Sequence, residues 1–354
     1  MQNFSPKKIV YVYPKKSSFV LKDISLLETT HQVRVFGFDP LKKIYTPLLF
    51  IQQLFLIVVP AIKADIIICQ FAGYHSFLPL LFARIFRKPS IIVTGGTDCV
   101  SFPSIGYGNF NRTLLGFFTK RSFRLASFLA PVHESLMQYT YSYQPNDPAN
   151  QGVLSYMPDL KTPYRVIYNG YDARFWKPVK PKIKNRFVTV AHIAKKTTWY
   201  LKGMDLIVSV AENFPDCEFL ILGVHSSFSL PSIPANVKIL GPVANASLPE
   251  IYSEAEFYFQ LSISEGFPNA LCEAMLCGCV PIGSAVGAIP DIIGDAGFVL
   301  KQRSVEFLKP VIQSALQSNR ELLSAKARQR IAENFTEEKR LHALLGLIEK
   351  LTNS

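Results

Sequence analysis

Apolar residues along this chain fall into short blocks of two kinds, and the two kinds alternate. Residues 64–71, ADIIICQF, and 89–96, PSIIVTGG, carry nearly continuous apolar runs. Such runs are expected of strands buried on both faces. KKIVYVY at 7–13, QVRVFGF at 32–38 and SFLAPV at 127–132 add further strand signals. Between them, VLKDISLLET, FLPLLFARIF and FNRTLLGFFTKRSFRLA space their apolar residues at helical intervals. This βαβα order predicts a parallel sheet with helices on both faces. A break follows at 143–164, where Pro145, Pro148, Pro158 and Pro163 stand among polar residues. RVIYNGYDARFWKPVKPKIK then gives a short strand, an Asn-Gly turn and a Pro/Lys linker.

The alternation then starts again. RFVTVAHI, CEFLILGV, VKILGPV, EFYFQLS, CVPIGS and AGFVL read as strands, GMDLIVSVAENF and PNALCEAMLC as helices, and 304–352 as helical throughout. The expected organisation is a first lobe over 1–178, a second over 179–335 and a closing helix over 336–354. Two open parallel sheets hold ligands at the carboxyl ends of their strands, so chemistry is expected in a cleft where the two lobes face each other.

Composition sharpens this picture. The chain has 354 residues, too long for one typical domain, and 49% of them are hydrophobic, enough for two cores. The net charge of +12 is unevenly placed: residues 1–180 hold 21 Lys and Arg against 9 Asp and Glu, while 181–354 hold 17 of each. A basic lobe attracts anionic partners. No nucleic-acid motif of the required spacing occurs, so no nucleic-acid partner is expected. An anionic membrane surface, or an acidic acceptor presented there, fits better. The cysteines Cys69, Cys99, Cys217, Cys272, Cys277 and Cys279 form no C-x-x-C pair and lie in or beside apolar runs. They read as buried reduced thiols in a reducing compartment, and no signal peptide is visible. Residues 48–62, LLFIQQLFLIVVPAI, fall short of the ~20 residues of a spanning helix and carry Gln52, Gln53 and Pro60. A buried helix is expected, with an interfacial helix flanked by Lys42, Lys43 and Lys63 as the second choice.

Candidate chemistry concentrates in SEGFPNALCEAM, 264–275. Pro268 suits a helix's first turn and Gly278 its end. The free amides at that helix start would cradle a diphosphate. Glu273, inside the helix, can hold a ribose diol, and Glu265, at its mouth, can accept from sugar hydroxyls. The amides of Gly266 and Phe267 can contact sugar or phosphate, and Asn269 is counted with this donor-binding group.

EGFPNALCE, followed by GCVPIGSAVGAIPDII, resembles the E-x7-E signature of family 4 (group 1) retaining glycosyltransferases. The resemblance implies the two-lobed GT-B fold, a nucleotide-sugar donor as co-substrate, and a last helix packing back on the first lobe. KTTWYLKGMDLI, 196–207, resembles the family's phosphate-binding Lys-Gly, with Lys202 neutralising the leaving diphosphate and Gly203 allowing close approach. The family's arginine after the preceding strand is replaced here by His192 and then Lys195 and Lys196; Lys196 is taken as the second cation. VIYNGYDARFWKP, 166–178, resembles the passage between the family's lobes, a structural role. LGPVANASLPEIYSEAEFYF resembles the segment that holds the base through backbone near Pro242 and Val243.

In the first lobe, His75 follows strand 64–71 and is placed beside the transferred sugar, a packed histidine being the alternative. Asp98, in GGTD, is a candidate for an acceptor hydroxyl, with an Asx-turn as the alternative. No D-x-D triad occurs, so no metal is expected. The resemblance implies same-face attack, in which the leaving phosphate takes the acceptor proton and Glu265 orients the sugar. The expected activity is transfer to a lipid-linked or envelope polysaccharide acceptor, in the cytoplasm at the inner face of the membrane. A nucleotide-sugar epimerase of the same fold and a non-catalytic membrane-surface protein are the competing readings; a glycogen-synthase-like polymerase fits the short chain less well.

Overall fold

The structure is a computed structural model that describes residues 5–39 and 43–353. Lys42 lies outside the described residues, as does the side chain of Lys43. The chain divides into two compact units. One comprises the residues through Tyr139, Asn150–Tyr168 and the chain from Glu338; the other comprises Thr140–Ala149 and Asn169–Glu337.

The first unit is built on β1 (Lys8–Tyr13), β2 (Gln32–Gly37), β3 (Ile66–Gln70), β4 (Ser90–Thr94) and β5 (Phe128–Pro131). They pair in parallel in the order β2-β1-β3-β4-β5. β3 and β4 are buried along their whole length, as their unbroken apolar runs predict. Helices α1 (Ser18–Glu28), α2 (Thr46–Lys63), α3 (Tyr74–Ile85) and α4 (Thr113–Leu125) connect them. The Phe50, Phe77 and Phe118 rings join α2, α3 and α4, with centroids 5.1–6.1 Å apart.

Helix α2 corrects an expectation. Most of it is not buried: Gln53, Ile57, Pro60 and Ala61 are its buried residues, while Leu48, Ile51, Phe55, Val59 and Ile62 are exposed. A helix lying on one sheet covers one stripe of its surface, and a uniformly apolar sequence does not record which stripe that is. By length and composition alone it is long and apolar enough to cross a membrane.

The second unit is built on β6 (Ile183–Ile193), α5 (Lys196–Leu201), α6 (Met204–Ala211), β7 (Glu218–Val224), β8 (Val237–Leu240), α7 (Leu248–Glu254), β9 (Ala255–Gln260), α8 (Asn269–Leu276), β10 (Val280–Ser284), α9 (Ile289–Ile293), β11 (Phe298–Leu300), α10 (Val305–Gln317) and α11 (Arg320–Asn334). Its parallel strands run in the order β8-β7-β6-β9-β10-β11. Phe187 of β6 sits at the sheet's centre, stacked on Phe219, Phe257 and Phe259 at 4.6–5.1 Å. In this order the connections reverse direction between β6 and β9. The crevice at the carboxyl ends of those two strands is the topological switch point, where such sheets bind nucleotides.

The division between units falls at Tyr168 and Asn169, where the sequence places it near Pro178. Asn169 and Tyr171 are bonded to Asn269, which ties the turn to the second unit. Residues 140–149 also belong there, with the Arg303 amide donating to the Tyr143 carbonyl at 2.8 Å. The last helix, α12 (Glu337–Thr352), belongs to the first unit from Glu338 on. Its Arg340 guanidinium pairs with Asp23 of α1 at 2.5 and 2.6 Å and donates to the carbonyls of Ile167 and Tyr168. Both members of this ion pair are buried.

Candidate active site

The site begins with a turn that only glycine makes cheaply. Between α5 and α6, Gly203 adopts φ +74°, and a Cβ there would collide with the Leu261 carbonyl oxygen and come 2.7 Å from the Leu261 Cβ. The Leu201 carbonyl accepts the Ile263 amide at 2.8 Å, fastening this turn to the loop after β9. Lys202 is thereby delivered to the switch point, with its Nζ 2.5 Å from Glu265 Oε1.

Glu265 is held from three directions. Its Oε1 accepts from Lys202 Nζ, from Gln260 Nε2 at 3.0 Å and from Ser262 Oγ at 2.7 Å. The Ser262 carbonyl in turn accepts from Ser284 Oγ at 2.7 Å, so β10 steadies the same loop. The Glu265 side chain is only 12% exposed. Burying a carboxylate is costly unless a cation and hydrogen-bond donors meet it, and here both do. Sequence pattern does not single out Gln260 and Ser262. Their one signal is a pair of polar residues at the carboxyl end of an apolar strand, in EFYFQLS.

Helix α8 starts at Asn269, with Pro268 as its cap rather than inside its first turn. Gly278, at φ +81°, closes it, its amide donating to the Met275 carbonyl at 3.0 Å. Glu273 lies four residues after Asn269, on the same helix face, and is half-buried. The Tyr258 phenol is pushed well above its usual range, first by burial and then by the charges of Glu273 and Glu265. Both carboxylates therefore act on one buried ring. Asn269 Oδ1 accepts from Tyr171 at 2.7 Å and from Asn169 Nδ2 at 3.2 Å. Phe267 is buried, stacked near Tyr171 and edge-on to Phe335 with centroids 5.2 Å apart. The Asn169-Gly170 turn thus braces the E-x7-E loop, a pairing across 100 positions that local pattern does not reveal. Gly266, buried in this loop, lies between Glu265 and Phe267.

Lys202, Gly203, Glu265, Gly266, Phe267, Asn269 and Glu273 therefore gather around one loop. Lys196 does not join them by any direct bond: it is exposed at the start of α5. With Lys195, Trp199 and Tyr200 it lines a separate hollow of about 800 Å³ opposite Ser227–Ser232. Val243 follows β8, at the sheet's edge, where the Gly241 carbonyl accepts the Gly223 amide at 3.2 Å.

His75 and Asp98 belong to the first unit, at the carboxyl ends of β3 and β4. His75 is buried, with Nε2 2.7 Å from the Gln70 carbonyl, and burial lowers its pKa to about 4. Its ring is neutral and packed. Asp98 accepts from the amides of Ala72, Gly95 and Gly96 at 3.0–3.3 Å, and burial raises its pKa. Those bonds run back along the loop and across to Ala72 rather than forward to the residue two on, as an Asx-turn would, and they pin the loop that leads into His75.

Two parallel-sheet units, the second carrying a lysine and two glutamates at its switch point, define the GT-B class of α/β proteins. Residues 172–338 match the family model for glycosyl transferases group 1. The whole chain takes the fold of a sucrose-phosphate synthase from Thermosynechococcus elongatus, with TM-score 0.73 at 13% identity over 98% of this chain and 99% of that one. It is similarly like Anabaena HepE in complex with UDP and glucose, at TM-score 0.69 and 14% identity over 97% and 100%. In sequence, 162 residues are 24% identical to a phosphatidylinositol N-acetylglucosaminyltransferase subunit from Arabidopsis thaliana, covering 43% of this chain and 36% of that protein. A further 92-residue match is 34% identical to an O-antigen chain mannosyltransferase B from Escherichia coli, covering 25% and 24%. The chain thus spans only about a quarter to a third of the length of these curated relatives.

Proposed function

We propose that this chain transfers a sugar, with retention and without a metal, from a nucleotide-sugar donor to a glycan or lipid-linked acceptor at an anionic membrane surface. The observation that carries the reading is the Lys202–Glu265 pair at the switch point of the second unit's sheet. Lys202, with the amides at the start of α8, meets the charge that develops on the leaving diphosphate. That is the charge a metal would otherwise meet, which supports the metal-independent reading. Glu273 holds the ribose diol, and backbone near Val243 holds the base. Glu265 orients the sugar. Its Oε1 already accepts three hydrogen bonds, which draws electron density away from a carboxylate that would otherwise attack. That favours same-face attack by the acceptor over double displacement.

The acceptor class is supported by the names of the relatives, an O-antigen mannosyltransferase and a phosphatidylinositol N-acetylglucosaminyltransferase subunit. The inner-face, cytoplasmic setting is supported by the basic first half and by six buried free thiols. The test is a panel of UDP-, GDP- and ADP-sugars read by thermal shift, then by transfer into membrane extract with and without chelator. Stabilisation by one nucleotide class followed by chelator-insensitive transfer is expected. No stabilisation by any donor refutes the enzymatic reading.

A further inference from the structure

Helix α2 wears its residues the wrong way round for water. Gln53 points inward, 7% exposed, and donates from Nε2 to the His75 carbonyl at 2.8 Å. Leu48, Ile51, Phe55, Val59 and Ile62 recur every three or four positions and form one outward ridge, with Phe55 74% exposed. The helix has 18 residues, so the ridge runs along an axis of about 27 Å. A continuous exposed apolar surface of this kind marks an interaction site.

The ends of the ridge say what covers it. At its C-terminal end, Lys8, Arg34 and Lys63 line a hollow of about 300 Å³ between α2, β1 and β2. No acidic residue lines it; Asp65 stands nearby, and its carboxylate accepts the Lys8 amide at 2.7 Å. Helix α4, in contact with α2 through Phe50 and Phe118, adds the exposed Arg121, and the exposed Arg112 stands just before its start. An upright spanning helix would have to abandon the packing of Ile57 and Ala61, which are fully covered by the first unit. A helix lying in the plane of a membrane keeps that packing and immerses only the ridge. A second copy packed ridge to ridge would set the same cations against these.

The geometry points to α2 as a one-leaflet anchor, its ridge among the acyl chains and its Lys8–Arg34–Lys63 hollow holding the phosphate of an anionic lipid. This rests on the membrane-acceptor reading above and deepens it, replacing surface attraction with insertion.

The test uses the full chain and vesicles of phosphatidylcholine, with or without phosphatidylglycerol, carrying brominated acyl chains. The native tryptophans, Trp176 and Trp199, are 5% and 4% exposed in the second unit and stay out of the lipid. Fluorescence added by Phe55→Trp should be quenched at least twofold, while that added by Leu322→Trp, exposed on α11, should not. Ile51→Glu with Phe55→Glu should weaken vesicle binding at least tenfold at every salt concentration, with unchanged circular dichroism. Arg34→Gln with Lys63→Gln should remove only the preference for anionic vesicles. The anchor is refuted if the ridge variant binds as the unaltered chain does, or if Phe55→Trp stays unquenched on bound vesicles. Binding that salt then releases leaves the membrane reading standing without the anchor. A dimer in lipid-free solution that Phe55→Glu disperses assigns the ridge to a second copy and also overturns it. If the unaltered chain binds neither vesicle, anchor and membrane reading fall together, while donor stabilisation in the thermal-shift panel still decides the enzymatic reading.

Discussion

One substitution, glycine to alanine, should have opposite effects at two places in this chain. At Gly203 the backbone sits at φ +74°, and the new methyl meets the Leu261 carbonyl oxygen and the Leu261 Cβ at 2.7 Å. The left-handed conformation costs alanine about 1–2 kcal/mol. Overpacking against the Leu261 backbone adds about 1–3 kcal/mol. The second unit should lose about 2–5 kcal/mol. With a urea m-value of about 2 kcal/mol/M, its midpoint falls by roughly 1–2.5 M. Tryptophan fluorescence reads this transition cleanly, because Trp176 and Trp199 both lie buried in the second unit. Gly346 sits exposed inside α12 with nothing within 4 Å of a new Cβ. There alanine should stabilise by about 0.5–1 kcal/mol through helix propensity, read by circular dichroism. The same Gly203 change moves the turn that carries Lys202, so donor stabilisation should shrink with it. A Gly203→Ala midpoint within about 0.3 M of the unaltered chain would refute the claim that this turn is locked.

Lys202→Gln removes the cation proposed to face the leaving group, a loss of about 2–4 kcal/mol in the transition state, or roughly 30- to 1000-fold in kcat/KM, and it lowers the melting temperature because Glu265 loses its cation; steady-state kinetics on the donor found by thermal shift check the first and thermal unfolding the second. Asp23→Ala leaves Arg340 buried without its carboxylate, at a cost of about 3–5 kcal/mol; urea unfolding by circular dichroism measures it, and Asp23→Ala with Arg340→Met should recover part of the loss. His75, with its pKa lowered to about 4, holds its proton less readily folded than unfolded. Its contribution is therefore full above pH 6.5 and drains away as pH falls toward 4, by roughly 3 kcal/mol at most. Stability of the chain and of His75→Asn, compared between pH 4 and 7, isolates that slope.

Much of this architecture was legible because its strands are buried on both faces. β3 and β4 announce themselves as IIIC and SIIV, with no alternation to misread. The E-x7-E loop and the Lys-Gly turn were legible as local strings, each placed after a strand. What stayed hidden depends on distant partners. Asn269 is held by Asn169 and Tyr171 across about 100 positions, and no window along the chain contains all three. Gln260 and Ser262 look like the frayed end of a strand until Glu265 folds back onto them. Helix α2 was misread for a different reason. Its apolar residues occupy nearly its whole circumference, so periodicity carries no information about the side the sheet leaves uncovered. His75 and Asp98 were found by position, yet their side chains are spent on backbone carbonyls and amides.

The Asp23–Arg340 pair has a consequence for how the chain is born. Its two members are 317 positions apart, and both belong to the first unit. At about 5–20 residues per second on the ribosome, Asp23 emerges roughly 15–60 s before the arginine that neutralises it. During that interval the second unit is synthesised in full and free to fold. The first unit, begun earliest, is finished last, with a carboxylate in its interior waiting for a cation. A chain stalled or cut before residue 340 would leave the ribosome with its second unit complete and its first unsealed, the unit that a chaperone or protease would find first.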